Sequence, residues 1–111
     1  MQSQTVLLKQ VSQGLKKGMK LVDSLYDGFP SPRFYLLSEE LQFAWEWIDG
    51  IHQQSHPDDP EKIPQIAHLL RNCAELARER ESHFLAEEFD RSADDAKLLI
   101  PEFEALAGQS Q

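Results

Sequence analysis

Cysteine is nearly absent from this sequence, since Cys73 is the single one among 111 residues. One cysteine excludes a disulfide within the chain and is typical of proteins in a reducing compartment. Long apolar runs are missing as well, because no stretch approaches the ~20 apolar residues that span a bilayer. The first twenty residues lack a basic segment followed by an uninterrupted apolar one, so we expect no signal peptide. These absences predict a soluble cytoplasmic protein that does not contact a membrane.

Basic residues are also scarce, with 11 lysines and arginines against 19 acidic residues and a net charge of −8. The first 22 residues carry four lysines and no acid, so the acidity belongs to the rest of the chain. Direct nucleic-acid binding is therefore not expected, because it depends on lysine and arginine meeting phosphates. The acidic body favours a basic protein partner, or simply serves solubility. An acidic mimic of nucleic acid that blocks a DNA-binding protein is an alternative.

No segment shows the alternation of a β-strand, and apolar residues instead recur every third or fourth position. This spacing predicts helices at about 3–26, 33–53, 64–89 and 92–107. Short connections between them are typical of an antiparallel bundle. The fold class that we predict is all-α, a three- or four-helix bundle in one domain covering residues 1–111.

Several helix ends carry recognisable signals. Ser31 and Pro32 suit the N-cap and first position of the second helix, and a later start at Ser38 is the alternative, because Glu39 and Glu40 suit a first turn. The third helix is predicted to begin at Pro64, because a residue before proline is pushed away from helical geometry. We expect a break at residues 89–92, with Ser92 as N-cap of the fourth helix, although one continuous helix remains an alternative. Pro101 is expected to kink or restart that last helix.

Two glycines interrupt the first helix beside its apolar stripe. Gly14 and Gly18 each cost helix stability of ~1 kcal/mol relative to alanine. Close approach of another helix over these glycines would compensate. Cys73 lies in the apolar stripe of the third helix, so we expect a buried and unreactive thiol.

The second helix has an apolar side broader than one core face requires. At ~100° per residue, its apolar arc covers roughly 200°. Phe43 and Trp45 point in nearly opposite directions, so neighbouring helices must cover both or one side binds a partner. We predict Phe43, Trp45 and Trp47 as partner-binding residues, with a second copy of the chain as one such partner. An acidic face of Glu79, Glu87 and Asp94 is predicted to meet a basic partner.

The segment from Arg78 to His83 has an Arg-x4-His spacing late in a helical bundle. It resembles the motif of HEPN-type ribonucleases, which pair an arginine and a histidine across a dimer. The resemblance covers six residues, and Glu79 stands where that motif usually has asparagine or histidine. It implies nuclease activity through Arg78 and His83. The other reading is an exposed helix face of alternating charge.

Metal chemistry has little support in the spacing of possible ligands. Glu40, Glu81 and Glu88 fall within apolar stripes, but a di-iron bundle needs Glu-x-x-His on two helices and that pattern is absent. His52 and His56 are four residues apart, as two zinc ligands on a helix can be, but no cysteine or third histidine is nearby, and Asp58 and Asp59 are typical of turn and capping residues. We therefore predict no metal and no cofactor.

The sequence as a whole predicts a small adaptor, regulator or inhibitor that acts by protein–protein contact and has no catalytic residues. A small helical enzyme, either HEPN-like or metal-dependent, is the alternative from another functional class.

Overall fold

Four α-helices make up the part of the chain that the structure, a computed structural model, describes. That part covers residues 4–53 and 62–109, with side chains described at 6–50 and 62–101. Within it there is no β-strand, so the predicted all-α fold is confirmed. The helices are α1 (Gln4–Gly28), α2 (Pro32–Gln53), α3 (Lys62–Glu79) and α4 (His83–Gln109).

Side-chain pairs show that α1 and α2 are antiparallel. Lys16 of α1 meets Trp45 late in α2, whereas Tyr26 at the end of α1 meets Tyr35 at the start of α2. Helices α3 and α4 are antiparallel as well, because Arg71 meets Asp94 and the later Arg78 meets the earlier Asp90. With Trp47 of α2 near Lys62 at the start of α3, the four helices run up-down-up-down. Helix α1 packs against each of the other three helices, and α2 touches α3 far less than it touches α1. The bundle is therefore open along the side between α2 and α3.

The core is built from the apolar stripes that the sequence pattern predicts. Each helix contributes side chains with no exposed surface, and within the described side chains no polar or charged residue is buried. Burying one such aliphatic side chain stabilises the fold by about 1.5–3 kcal/mol. The largest of these fully buried residues include Leu15 of α1, Leu41 and Ile48 of α2, Leu70 of α3, and Phe89 and Leu99 of α4.

The two glycines of α1 mark the places where other helices come closest. A Cβ atom built at Gly14 would lie 2.7 Å from Ser92 Cβ on α4. One built at Gly18 would lie 2.9 Å from Cys73 Sγ on α3. Other helices therefore approach α1 closely over both glycines, as the sequence analysis expects.

The start of α2 also agrees with its sequence signals. Ser31 Oγ accepts a hydrogen bond of 3.2 Å from the backbone N–H of Arg33, which is the geometry of an N-cap. Pro32 is the first helical residue. Helix α3, in contrast, begins at Lys62 and not at Pro64. Proline is tolerated there because the first-turn N–H groups have no partner within the helix.

The predicted break at residues 89–92 is wrong, and α3 ends ten residues earlier, at Glu79. The backbone N–H of Ser82 donates to Ala77 O at 2.8 Å, and that of Glu81 donates to Arg78 O at 2.9 Å. This pair of bonds is a Schellman motif, and Glu81 occupies its left-handed position with φ 61°. Helix α4 then begins at His83, so Ser92 lies inside it.

Pro101 neither ends nor restarts the last helix, since α4 continues through it to Gln109.

No helix in the described part of the chain is both long and apolar enough to cross a lipid bilayer.

Candidate interaction groove between α2 and α3

The open side of the bundle contains a groove of about 600 Å³ between α2 and α3. Phe43 and Trp47 form its α2 wall, and Lys62 stands at one end on α3. Ile66 and Leu69 of α3 lie along it as well, and both are buried in the core. An apolar floor between two helices is the usual form of a site that accepts a third helix.

The α2 wall extends beyond the groove as an exposed apolar stripe. Phe43 is 69% exposed, and Leu36, two turns earlier, is 56% exposed. At ~100° per residue, Leu36, Phe43 and Trp47 lie within about 40° of one another on the helix. Trp47 is half-buried and packs against the core. The apolar side chains are thus exposed at Leu36 and Phe43 and partly buried at Trp47, inside the groove.

One end of the groove is held by a contact between the two helices. Lys62 Nζ lies 5.4 Å from the centroid of the Trp47 ring. A lysine over an indole at an exposed site contributes about 0.5–1 kcal/mol. This contact joins the end of α2 to the start of α3, where the connecting segment lies outside the described residues.

Acidic side chains border the groove along both helices. Glu40 lines it directly and is exposed. Glu39 and Glu46 are exposed, and the helical repeat places them beside Phe43 on the outer edge of α2. On α3, Glu75 and Glu79 are exposed and lie further along the face that carries His68. The rim is therefore mainly negative.

Comparison of the chain with protein-family models, curated proteins and solved structures finds no match.

Of the three predicted aromatic partner residues, the structure brings two together and separates the third. Phe43 and Trp47 share the groove, whereas Trp45 lies on the opposite edge of α2 against α1. There Lys16 Nζ lies 5.4 Å from the Trp45 ring centroid, and the indole Nε1 is buried with no hydrogen-bond partner among the described atoms. Trp45 therefore belongs to the contact between α1 and α2, not to the groove.

The predicted acidic face is distributed over two helices. Glu79 is exposed at the end of α3, and Glu87 is exposed on α4. Asp94, two turns after Glu87, accepts a hydrogen bond of 2.7 Å from Arg71 Nη2. Arg71 also donates to Asp90 at 2.8 Å, and this bond raises the pKa of Arg71. Asp94 is therefore already paired within the bundle, and only Glu79 lies on a helix that borders the groove.

Glu88 and Glu81 do not form a buried carboxylate pair. Lys17 Nζ of α1 donates to Glu88 Oε2 at 2.9 Å, and Glu81 is exposed in the turn between α3 and α4. Exposed ion pairs of this kind contribute about 0–1 kcal/mol. Glu88 thus links α1 to α4 and has a structural role.

The six-residue segment that resembles a HEPN motif spans a change of helix. Arg78 lies in the last turn of α3, and His83 is the first residue of α4. Asp90 of α4 forms an ion pair with the Arg78 guanidinium. The two side chains are therefore not presented on one helical face, and Arg78 is held by the contact between α3 and α4.

Possible metal ligands are not assembled in the part of the chain that is described. No group of three histidine, cysteine, aspartate or glutamate side chains is placed to hold a metal ion there. The pair His52 and His56 lies outside the described side chains. Cys73 is fully buried, and burial raises the pKa of its thiol to about 12. Such a thiol is a packing group, since the thiolate is the reactive form.

Sequence reasoning missed the α3 wall of the groove. Lys62, His68 and Leu69 carry no local signal that distinguishes them from other residues of an amphipathic helix. These residues belong to the groove only because the fold places α3 opposite Phe43 of α2. Leu36, by contrast, follows from the broad apolar arc of α2.

Proposed function

We propose that this chain is a binding module that acts by protein–protein contact through the groove between α2 and α3. The observation that supports it is the exposed apolar stripe of Leu36 and Phe43 leading into an open groove of about 600 Å³. Aromatic residues in such a position are typical of interface centres. Large apolar side chains that lie exposed near one another on a small protein often mark an interaction site, and here Glu40 lies among them.

The shape of the groove favours a helical segment as its occupant. Two roughly antiparallel helices with an apolar floor between them accept an amphipathic helix along their length. Occupying the groove would complete the packing of the bundle on its open side. The module would then act as an adaptor, regulator or inhibitor, according to what the bound segment belongs to. A cytoplasmic location is part of this proposal and is supported by the single buried thiol.

Site-specific photo-crosslinking in the cells that produce the protein tests this function. Phe43→p-benzoylphenylalanine places a reactive group in the groove, and Phe84→p-benzoylphenylalanine is the matched control. Phe84 is the same residue type, is 71% exposed against 69% for Phe43, and lies on α4 away from the groove. We expect a discrete crosslinked species from position 43 and none of that size from position 84. Equal labelling from both positions, or none from position 43 in a folded protein, would contradict the proposal.

Sedimentation velocity of the purified protein separates two forms of the same proposal. A crosslinked species of twice the chain mass, with a dimer that Phe43→Ala converts to monomer, would identify a second copy as the occupant. A monomer that crosslinks to a different polypeptide would identify a partner from elsewhere.

A further inference from the structure

We infer that the occupant of the groove is a basic amphipathic helix of another protein, an inference that rests on the proposed function. Its apolar face would cover Leu36, Phe43 and Trp47, and its flanking lysines and arginines would meet the acidic rim. The inference rests on the carboxylates around the groove and on the net charge of −8 of the whole chain.

Carboxylates outnumber the basic side chains among the described residues around the groove, where Lys62 in the lining and Arg33, placed beside Leu36 by the helical repeat, are the cations. Glu40 lies within it, Glu39 and Glu46 follow the outer edge of α2, and Glu75 and Glu79 follow α3. Lys62 is the basic residue among the lining side chains, and its ammonium already lies over Trp47. A bound helix with basic flanks would neutralise these carboxylates, whereas an acidic helix would be repelled by them.

A second copy of this chain fits the groove poorly. Each copy carries a net charge of −8, so association of two acidic grooves brings like charges together. The basic helix of the chain is α1, but its apolar stripe is already buried in its own core. Two of its lysines are also engaged, Lys16 over Trp45 and Lys17 with Glu88. The chain therefore has no free basic amphipathic helix among its described residues to offer.

The length of the stripe sets the length of the expected ligand. Leu36 and Trp47 are eleven residues apart on α2, which corresponds to roughly 16 Å at 1.5 Å per residue. A ligand of about three to four turns would cover this distance. Its apolar residues would recur at i, i+4, i+7 and i+11, with basic residues on both sides of that stripe.

Selection from a displayed peptide library tests the charge of the occupant without presupposing its sequence. The library encodes 18-residue helices with a constant leucine stripe and randomised polar positions, and selection uses the full chain at low ionic strength. Peptides that also bind the Phe43→Ala variant are removed, so that general attraction to an acidic protein is not scored. We expect the retained peptides to be enriched in lysine and arginine beside the leucine stripe.

The retained peptides are then measured by fluorescence anisotropy against matched variants. Replacement of Glu39, Glu40 and Glu46 together by glutamine should weaken binding about tenfold in low salt. Glu87→Gln on α4 is the control and should change it less than twofold. Loss of affinity with added salt should be smaller for the triple variant than for the unchanged chain.

Three results would overturn the inference. Peptides that depend on Phe43 but show no basic enrichment would remove the basic occupant and leave the groove as a binding site. A homodimer that Phe43→Ala dissociates would assign the groove to a second copy. The absence of any Phe43-dependent peptide would reject an amphipathic helix as the ligand class, and crosslinking from position 43 would then show separately whether the proposed function survives.

Discussion

A Cβ atom at Gly14 of α1 would lie 2.5 Å from Ser92 Oγ of α4, which is closer than two such atoms approach in folded proteins. The distance to Ser92 Cβ, 2.7 Å, shows that rotating the serine hydroxyl away does not make room. The backbone of α1 therefore approaches α4 closely because position 14 has no side chain.

Gly14→Ala should destabilise the bundle by up to about 2 kcal/mol. The inserted methyl group forces α1 and α4 apart at a cost of about 1–3 kcal/mol, and the ~1 kcal/mol that alanine gains over glycine in a helix offsets part of this cost. Gly50→Ala is the control, since among the described atoms none lies within 4 Å of a Cβ built there. It should be neutral or stabilising by up to ~1 kcal/mol. Urea denaturation followed by circular dichroism measures both, and equal stabilisation by the two changes would refute the close approach.

Glu81→Gly should stabilise the protein by ~0.5–1 kcal/mol. Glu81 has φ 61° at the end of α3, and a side chain in this left-handed region is unfavourable by roughly 1 kcal/mol. Glu79→Gly, two residues earlier and still helical, should have the opposite sign and cost ~0.5–1 kcal/mol. Thermal and chemical denaturation of the pair report the difference. Destabilisation by Glu81→Gly would show that the Schellman motif does not form in solution.

The thiol of Cys73 should react with a disulfide reagent only when the bundle opens. It is fully buried, and its pKa is raised to about 12 by burial, so that little thiolate forms at neutral pH. We expect the native reaction to be at least about a thousandfold slower than in urea-unfolded chain. Ser24→Cys in a Cys73→Ala background places a thiol on the exposed face of α1 and should react at the unfolded rate. Similar rates for both native thiols would contradict the packing of Cys73 of α3 against α1.

Asp95→Asn should increase stability at neutral pH by up to ~0.5 kcal/mol. Burial raises the pKa of Asp95, and the charge of Asp94 raises it further. The native state therefore binds a proton on the Asp95 carboxyl more tightly than the unfolded chain does. The free energy of unfolding that this difference contributes is present at low pH and is lost as pH rises through the raised pKa. The gain from Asp95→Asn should vanish below about pH 3.5, where aspartate is protonated in both states.

Asp94→Asn is the matched control for this pH dependence. Asp94 accepts a hydrogen bond from Arg71, so removing its charge should cost stability at pH 7, by about 0–1 kcal/mol. Denaturation across the pH range measures the change in unfolding free energy for both variants. Opposite signs of this change at neutral pH would support the assigned environments of the partly buried Asp95 and the ion-paired Asp94. A loss of stability in Asp95→Asn at pH 7 would contradict them.

Local features were predicted from sequence with good accuracy. The capping of α2 by Ser31 depends on a hydroxyl and its neighbouring N–H groups, so the residue type is sufficient to recognise it. The buried stripe of α3 depends on the 3.6-residue period alone. Gly14 and Gly18 were interpretable because each weakens a helix unless another helix packs closely against it.

The break between α3 and α4 was misplaced because its signal is not the usual one. Glycine ordinarily occupies the left-handed position of a Schellman motif, whereas this chain has Glu81. Phe89 and Ser92 resemble a boundary in sequence, but Phe89 is fully buried and Ser92 faces Gly14. Packing against α1 keeps this part of α4 helical, and a local pattern does not report such a contact.

Helix class, the core face of each helix and the acidic balance follow directly from residue order, because hydrophobic period and charge are local properties. The open side between α2 and α3 has a different origin. Gly14 and Gly18 let α1 lie against Ser92 of α4 and Cys73 of α3, while α2 packs mainly on α1. Which aromatic residues reach a groove then depends on the distances between helices. The helical period already places Trp45 on the edge of α2 opposite Phe43, but the packing of α1 decides that Trp45 is covered beneath Lys16 while Phe43 and Trp47 face the groove.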